Sequence, residues 1–265
     1  MTVRKWLPYI QSLLFTCLLA SHVLAAGKPA YREFYQLVVY RYNSNQQEGV
    51  LDNYLKQALL PALHRMKIEN VGVFKAIAND TSAQKVLYVL IPLRTVEKVV
   101  DIHAKLSKDA EYQSAGKEYI DAVYTSPPYA RMESILLQAF PLAPKMQLPQ
   151  LNGEKKDRVY ELRSYESATE KIFQNKVQMF NAGDEIGLFK RLNFNAVFYA
   201  SVVSGAKMPN LMYMTTFENM GDRDAHWKSF GDDPYWKKLS AMPEYQHNVS
   251  HIDITFLRPA DYSDY

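Results

Sequence analysis

Cysteine is almost missing from this chain. The one cysteine in 265 residues is Cys17, inside an N-terminal apolar run. Disulfides, a thiol nucleophile and thiolate metal ligands are therefore excluded from everything that follows it, and the fold must stand on its core. Charge of one sign is also scarce: 31 basic against 28 acidic residues leave a net +3. Arg4 and Lys5 are the only charged residues among the first 25, so the remainder carries about +1 (3 − 2). That balance excludes the basic footprint of a nucleic-acid binder. Glycine is sparse, at 10 residues, and the chain has no glycine-rich phosphate loop, no G-x-S-x-G and no Walker pattern.

What is present begins with Arg4-Lys5, the apolar run Leu13 to Ala20, and Val23-Leu24-Ala25-Ala26. A charged start, an apolar stretch too short to span a bilayer and small residues at its end predict a secretory signal peptide over 1–25. The expected localisation is export, to the periplasm or medium, with no stable membrane anchor after cleavage.

The remaining chain is similar to itself at an offset of 125 residues. Gln36-Leu37-Val38-Val39-Tyr40 lies over Glu161-Leu162-Arg163-Ser164-Tyr165, and Leu87-Tyr88-Val89 over Met212-Tyr213-Met214. Each copy reads β-α-β-β-α-β from its apolar periodicity. In the first, the strands are 34–42, 71–78, 85–93 and 131–138. Their helical segments begin at Leu51, with a kink at Pro61, and at Val96, with a break near Lys108. In the second, the strands are 158–165, 194–203, 210–217 and 249–257, with helices over 169–192 and 221–242. The predicted fold class is α+β: two tandem ferredoxin-like units over 31–140 and 158–259, joined by a linker at 141–157, whose sheets pair as a barrel. The barrel could close within one chain or between two, as a homodimer.

The densest stretch is Asp224 to Trp236, which holds two of the three tryptophans. Asp233 reads as an N-cap and Pro234 as the first residue of a new helix. The adjoining aromatics read as a clamp that fixes two short helices to a sheet, with His226 as a group that could be aimed at a ligand.

Tyr160-Glu161-Leu162-Arg163-Ser164-Tyr165 together with His226-Trp227-Lys228-Ser229-Phe230-Gly231-Asp232-Asp233-Pro234-Tyr235-Trp236 resembles the NIPSNAP family of the dimeric α/β-barrel superfamily. The resemblance covers the second unit; the first joins it only through the repeat. It implies the fold, and it implies little about activity, because that family has no agreed catalytic set. The wider superfamily includes cofactor-free monooxygenases and haem-handling proteins that use the barrel interior.

Strand parity supplies the candidate site. Glu161, Arg163 and Tyr165 share one face of their strand, and His251, Asp253 and Thr255 share one face of theirs. If the apolar faces meet the helices, these groups converge inside the barrel. The catalytic candidates are then Arg163 as anion anchor, His251 as acid or base and Asp253 as its orienter, with Glu161, Tyr165, Tyr213, His226 and Trp227 as ligand contacts. A self-satisfied buried network is the competing account. No metal set and no cofactor are expected. Three functions fit: binding of a small organic ligand in a barrel cavity, a cofactor-independent monooxygenase or isomerase-type enzyme using that cavity, or a filled barrel that serves as a structural or interaction protein.

Overall fold

The computed structural model describes residues 31–265, so the signal-peptide reading lies outside the described residues. Eight antiparallel strands form the scaffold: β1 (Phe34–Tyr42), β2 (Gly72–Ala76), β3 (Lys85–Leu93), β4 (Arg131–Ala139), β5 (Val159–Glu166), β6 (Phe198–Ser204), β7 (Asn210–Phe217) and β8 (His251–Pro259). They close within the single chain into a barrel in the order β1-β3-β2-β8-β5-β7-β6-β4. The result is a mixed α/β fold with helices packed outside an eight-stranded barrel.

β1 shows why its sequence, FYQLVVYRY, is apolar throughout. Tyr35, Leu37 and Val39 point into the barrel, while Val38, Tyr40 and Tyr42 pack under the helices of the first half. A strand covered on both faces has no solvent side to alternate toward.

Those helices are α1 (Asn45–Tyr54), capped by Ser44, and α2 (Leu60–Arg65), separated by a single π-helical turn, Leu55–Leu59. Pro61 cannot supply the amide that a regular helix needs, and the turn before it takes up the mismatch. Then come α3 (Lys98–Leu106), α4 (Ala110–Ala115) and α5 (Lys117–Ile120). The second half carries α6 (Glu170–Asn181), α7 (Glu185–Arg191), α8 (Met220–Asp232) and α9 (Pro234–Ser240). Asp233 caps α9 through its side chain, as its position before Pro234 implies. The single helix expected over 169–192 is instead two, because Asp184 adopts a left-handed φ of 54° and ends the run. Among the described residues no helix is long and apolar enough to cross a membrane.

The two ends of the barrel differ. At the end where β1, β5 and β6 begin, aromatic rings fill the bore. Tyr35 meets Phe198 at 5.3 Å between centroids, and Phe74 meets Tyr160 at 5.1 Å and Tyr265 at 5.3 Å. Gly72 is required here, since a Cβ would come within 2.4 Å of the Phe74 ring. At the opposite end two seams part. β2 pairs with β8 only over Phe74–Ala76, and β4 pairs with β6 only over Leu136–Ala139. The first half of β8 therefore parts from β2 while it stays paired with β5, the first half of β4 parts from β6 while it stays paired with β1, and the bore opens into a mouth.

Candidate functional site

The expected site divides into two, on opposite faces of β5 and β8. Register decides this: Tyr160 lies opposite Leu257, Leu162 opposite Thr255, and Ser164 opposite Asp253, so these six share the barrel side. Glu161, Arg163 and Tyr165 take the other side, with Phe256, Ile254 and Ile252. The assignment for β8 holds, with Asp253 and Thr255 on the barrel side. The assignment for β5 is inverted, and the groups expected to converge inside the barrel do not meet. Alternation says which residues share a face but not which face turns inward. Here the bore takes Tyr160 and Leu162, and the helix layer brings its own polar partners.

Under that layer Glu161 is fully buried and every lone-pair direction is used. Arg163 places Nε and Nη2 both 2.6 Å from Oε1. Arg223 donates from Nη2 to Oε1 at 3.0 Å and from Nε to Oε2 at 2.8 Å, and the Trp227 indole donates to Oε2 at 2.7 Å. The Arg163 guanidinium also lies 3.7 Å from the centre of the Trp227 ring, a cation–π stack, and donates to the Tyr165 hydroxyl at 3.1 Å. Tyr165 and Tyr213 share a hydrogen bond of 2.8 Å. Arg223 turns its remaining edge to the exposed Asp224 at 2.9 Å, so the four charges sum to zero. Burial pushes the Glu161 carboxyl up, but the Arg223 hydrogen bonds, the Arg163 charge and the Trp227 indole outweigh it and hold it below its ordinary value.

Arg163, Glu161, Tyr165, Tyr213 and Trp227 thus form a packed, mutually paired network under the helix layer, apart from the bore in which they were expected to converge. His226 stands apart from both groups. It lies on α8, donates from Nδ1 to the Asp222 carbonyl at 2.8 Å and packs on Phe194 and Phe217, away from His251.

His251 and Asp253 stand at the barrel mouth. His251 Nε2 lies 3.1 Å from Asp253 Oδ1, with the imidazole well exposed. Lys207, from the β6–β7 turn, donates to Asp253 Oδ2 and lies 3.8 Å from Glu166. That hydrogen bond first, and His251 second, hold the Asp253 carboxyl below its usual range. Glu166, His251 and Asp253 bring their ligand atoms within 4.8 Å of one another. The Lys207 ammonium already neutralises the place a cation would take, so this cluster does not by itself define a metal site.

Asp253 also lines a cavity of about 250 Å³ inside the mouth. Val39, Ile135, Leu162 and Met212 make its apolar wall, and Ser164, Asn210, Thr255 and Tyr88 its polar one. Asn210 donates to Ser164 Oγ at 2.9 Å, while its own Oδ1 has no partner among the described residues and is shielded from solvent. Val39, Tyr88 and Ile135 come from the first half, so both halves of the chain build the cavity.

Sequence reasoning missed Arg223, Ser164, Asn210 and Lys207. For Arg223 a signal existed: it precedes Trp227 by four residues and so shares its helix face. Lys207 sits in a turn, and no periodicity points it at Asp253.

The barrel with its outer helices is a fold of the dimeric α/β-barrel kind. A candidate monooxygenase from Lactobacillus acidophilus NCFM superposes with a TM-score of 0.55 at 10% identity, over 86% of this chain and 94% of that one. A second candidate monooxygenase, from Fusobacterium nucleatum, gives 0.52 at 7% identity, over 87% and 93%. At such identities the likeness concerns the fold alone. Residues 160–264 match the NIPSNAP family. A NIPSNAP family protein from Agrobacterium tumefaciens is 18% identical over 40% of this chain and 96% of its own, with a TM-score of 0.35. No curated protein matches the chain in sequence.

Proposed function

We propose that the protein binds a small organic molecule in the mouth of its barrel. The observation that carries this reading is the cavity of about 250 Å³ at one end of an otherwise filled bore, apolar on one wall and polar on the other. Its size is slightly below the usual range for drug-sized ligands, roughly 300 Å³ and up, which favours a compact carbonyl or phenolic compound. The filled bore leaves little room for a ligand elsewhere inside the barrel. The barrel itself is read as two ferredoxin-like units that arose by duplication. Support comes from the sequence repeat and from the strand order, β4-β1-β3-β2 followed by β8-β5-β7-β6. Export after loss of residues 1–25 belongs to the same proposal, on the strength of Arg4, Lys5 and the apolar run.

A second reading, a cofactor-independent monooxygenase or isomerase-type enzyme, is favoured by one contact. Asp253 both lines the cavity and holds His251 at 3.1 Å, the arrangement of an oriented general base. The names of the two barrel neighbours agree with that class by analogy of fold.

The test is ligand-observed NMR with a panel of small phenols and aldehydes, comparing the natural protein with Ala206→Trp. Ala206 is exposed on the cavity rim, so an indole there can occlude the mouth without entering the core. Saturable binding that disappears in Ala206→Trp supports the proposal; no binding, or binding unchanged by the indole, refutes it. His251→Gln separates the two readings, since it should leave binding intact and remove turnover only if the protein is an enzyme.

A further inference from the structure

A second cavity lies at the filled end of the barrel, outside the bore and in the first half of the chain. It measures about 500 Å³, within the range of small-molecule sites. One side is the face of α3 that carries Lys98, Asp101, Ile102 and Lys105, spaced i, i+3, i+4 and i+7. Ile102 and Leu93 are almost fully buried and make an apolar floor, extended by Met66, Ile68 and Met146. Opposite α3 runs the loop from α2 to β2, where Lys67 and Asn70 both adopt left-handed backbone, with φ of 61° and 59°. Lys67 there closes the end of α2, its amide donating to the His64 carbonyl and that of Ile68 to the Leu63 carbonyl.

The charges around the floor are unequal. Lys98 is paired with Asp101 at 3.0 Å, and Glu33 accepts from the Met146 amide at 2.8 Å. Lys67, Arg94, Lys105 and Lys145 have no acidic partner among the described residues, and Glu69 is the one acid of the lining that is likewise unengaged. The remainder is a cationic rim over an apolar floor. Long basic side chains lying over apolar surface with their heads in water can close on a negative group without giving up that contact.

We propose that this groove binds an amphipathic organic anion, with its apolar body on Ile102, Leu93 and Met146 and its carboxylate held by Arg94 and Lys105. The site is independent of the barrel mouth, and either can fail without the other.

The methionines allow the two to be told apart. Met66 and Met146 line the groove and Met212 lines the mouth. With methyl-labelled methionine, titration with decanoate should shift the Met66 and Met146 resonances saturably and leave Met212 in place. Decanol and acetate, which each lack one half of the recognition, should bind more weakly. Arg94→Gln with Lys105→Gln should weaken decanoate by about tenfold, as expected for two exposed charge contacts, and leave decanol unchanged. The proposal is overturned if decanoate does not bind, if decanol binds as tightly, if the double variant binds decanoate as the natural protein does, or if only Met212 responds.

Discussion

Replacing Glu161 with glutamine keeps the shape of the side chain and removes the buried charge that two guanidinium groups share. Arg223 can respond, because 18% of its side chain is exposed and Asp224 stays within reach. Arg163 cannot, with only 10% of its side chain exposed. Stranding one member of a buried pair costs about 3–5 kcal/mol, and an amide nitrogen facing arginine or indole donors adds an unmet hydrogen bond. Arg163 keeps its Trp227 stack at 3.7 Å and its Tyr165 bond at 3.1 Å, contacts that offset part of the loss. The expected loss is therefore about 3 kcal/mol, at the low end of that range. Urea denaturation measures it, with the slope of the transition checked for constancy. The double variant Glu161→Gln with Arg163→Met removes the stranded charge as well. It should be less destabilised than the sum of its single variants by about 2 kcal/mol, a coupling of the size found for contacting residues. A loss below about 1 kcal/mol for Glu161→Gln, or strict additivity in the cycle, would refute the view that this network is structural and fully paired.

Two further expectations concern other parts of the fold. The Arg191 hydrogen bonds, aided by the amides of Tyr235 and Trp236, hold Asp233 down to about 2. A carboxyl lowered on folding contributes stability that is complete above its unfolded value, about 3.9, and is lost as the pH falls toward 2. Asp233→Asn keeps the helix cap and should flatten the dependence of the urea midpoint on pH between 4 and 2; an equal slope in both proteins would contradict the assignment. At the filled end of the barrel, Tyr265 packs against Phe74 and Tyr160 and is 5% exposed. Tyr265→Ala should cost about 3 kcal/mol through the cavity it leaves, measured as a shift in thermal midpoint, whereas Tyr124→Ala, 94% exposed, should cost nothing measurable.

Much of the architecture was legible in the order of residues. Alternation and aromatic enrichment located all eight strands to within a few positions, and Asp233-Pro234 marked the boundary between α8 and α9 where it is found. These signals are local: a cap needs a side chain two or three residues from the amides it serves, and a strand needs only its own periodicity. The charged and aromatic residues of β5 and α8 were also identified as belonging together, since Glu161, Arg163 and Trp227 do meet.

What they do together was not legible, because it depends on which face of β5 turns into the bore. Parity is symmetric between the two faces. The choice falls to the tertiary structure, where Tyr160 and Leu162 fill space beside Leu257 and Phe74, while Arg223 and Trp227 arrive from α8 to satisfy Glu161. The mouth is likewise a tertiary product. Its cavity exists because two seams part after three or four residue pairs, and its wall joins Val39 and Tyr88 to Asp253 across more than 150 positions of chain. By itself the sequence determined the elements and the polar groups available. The packing of sheet against helices decided which of those groups are paired and buried and which stand beside open space, because burial and pairing are properties of neighbours that the chain brings together only on folding.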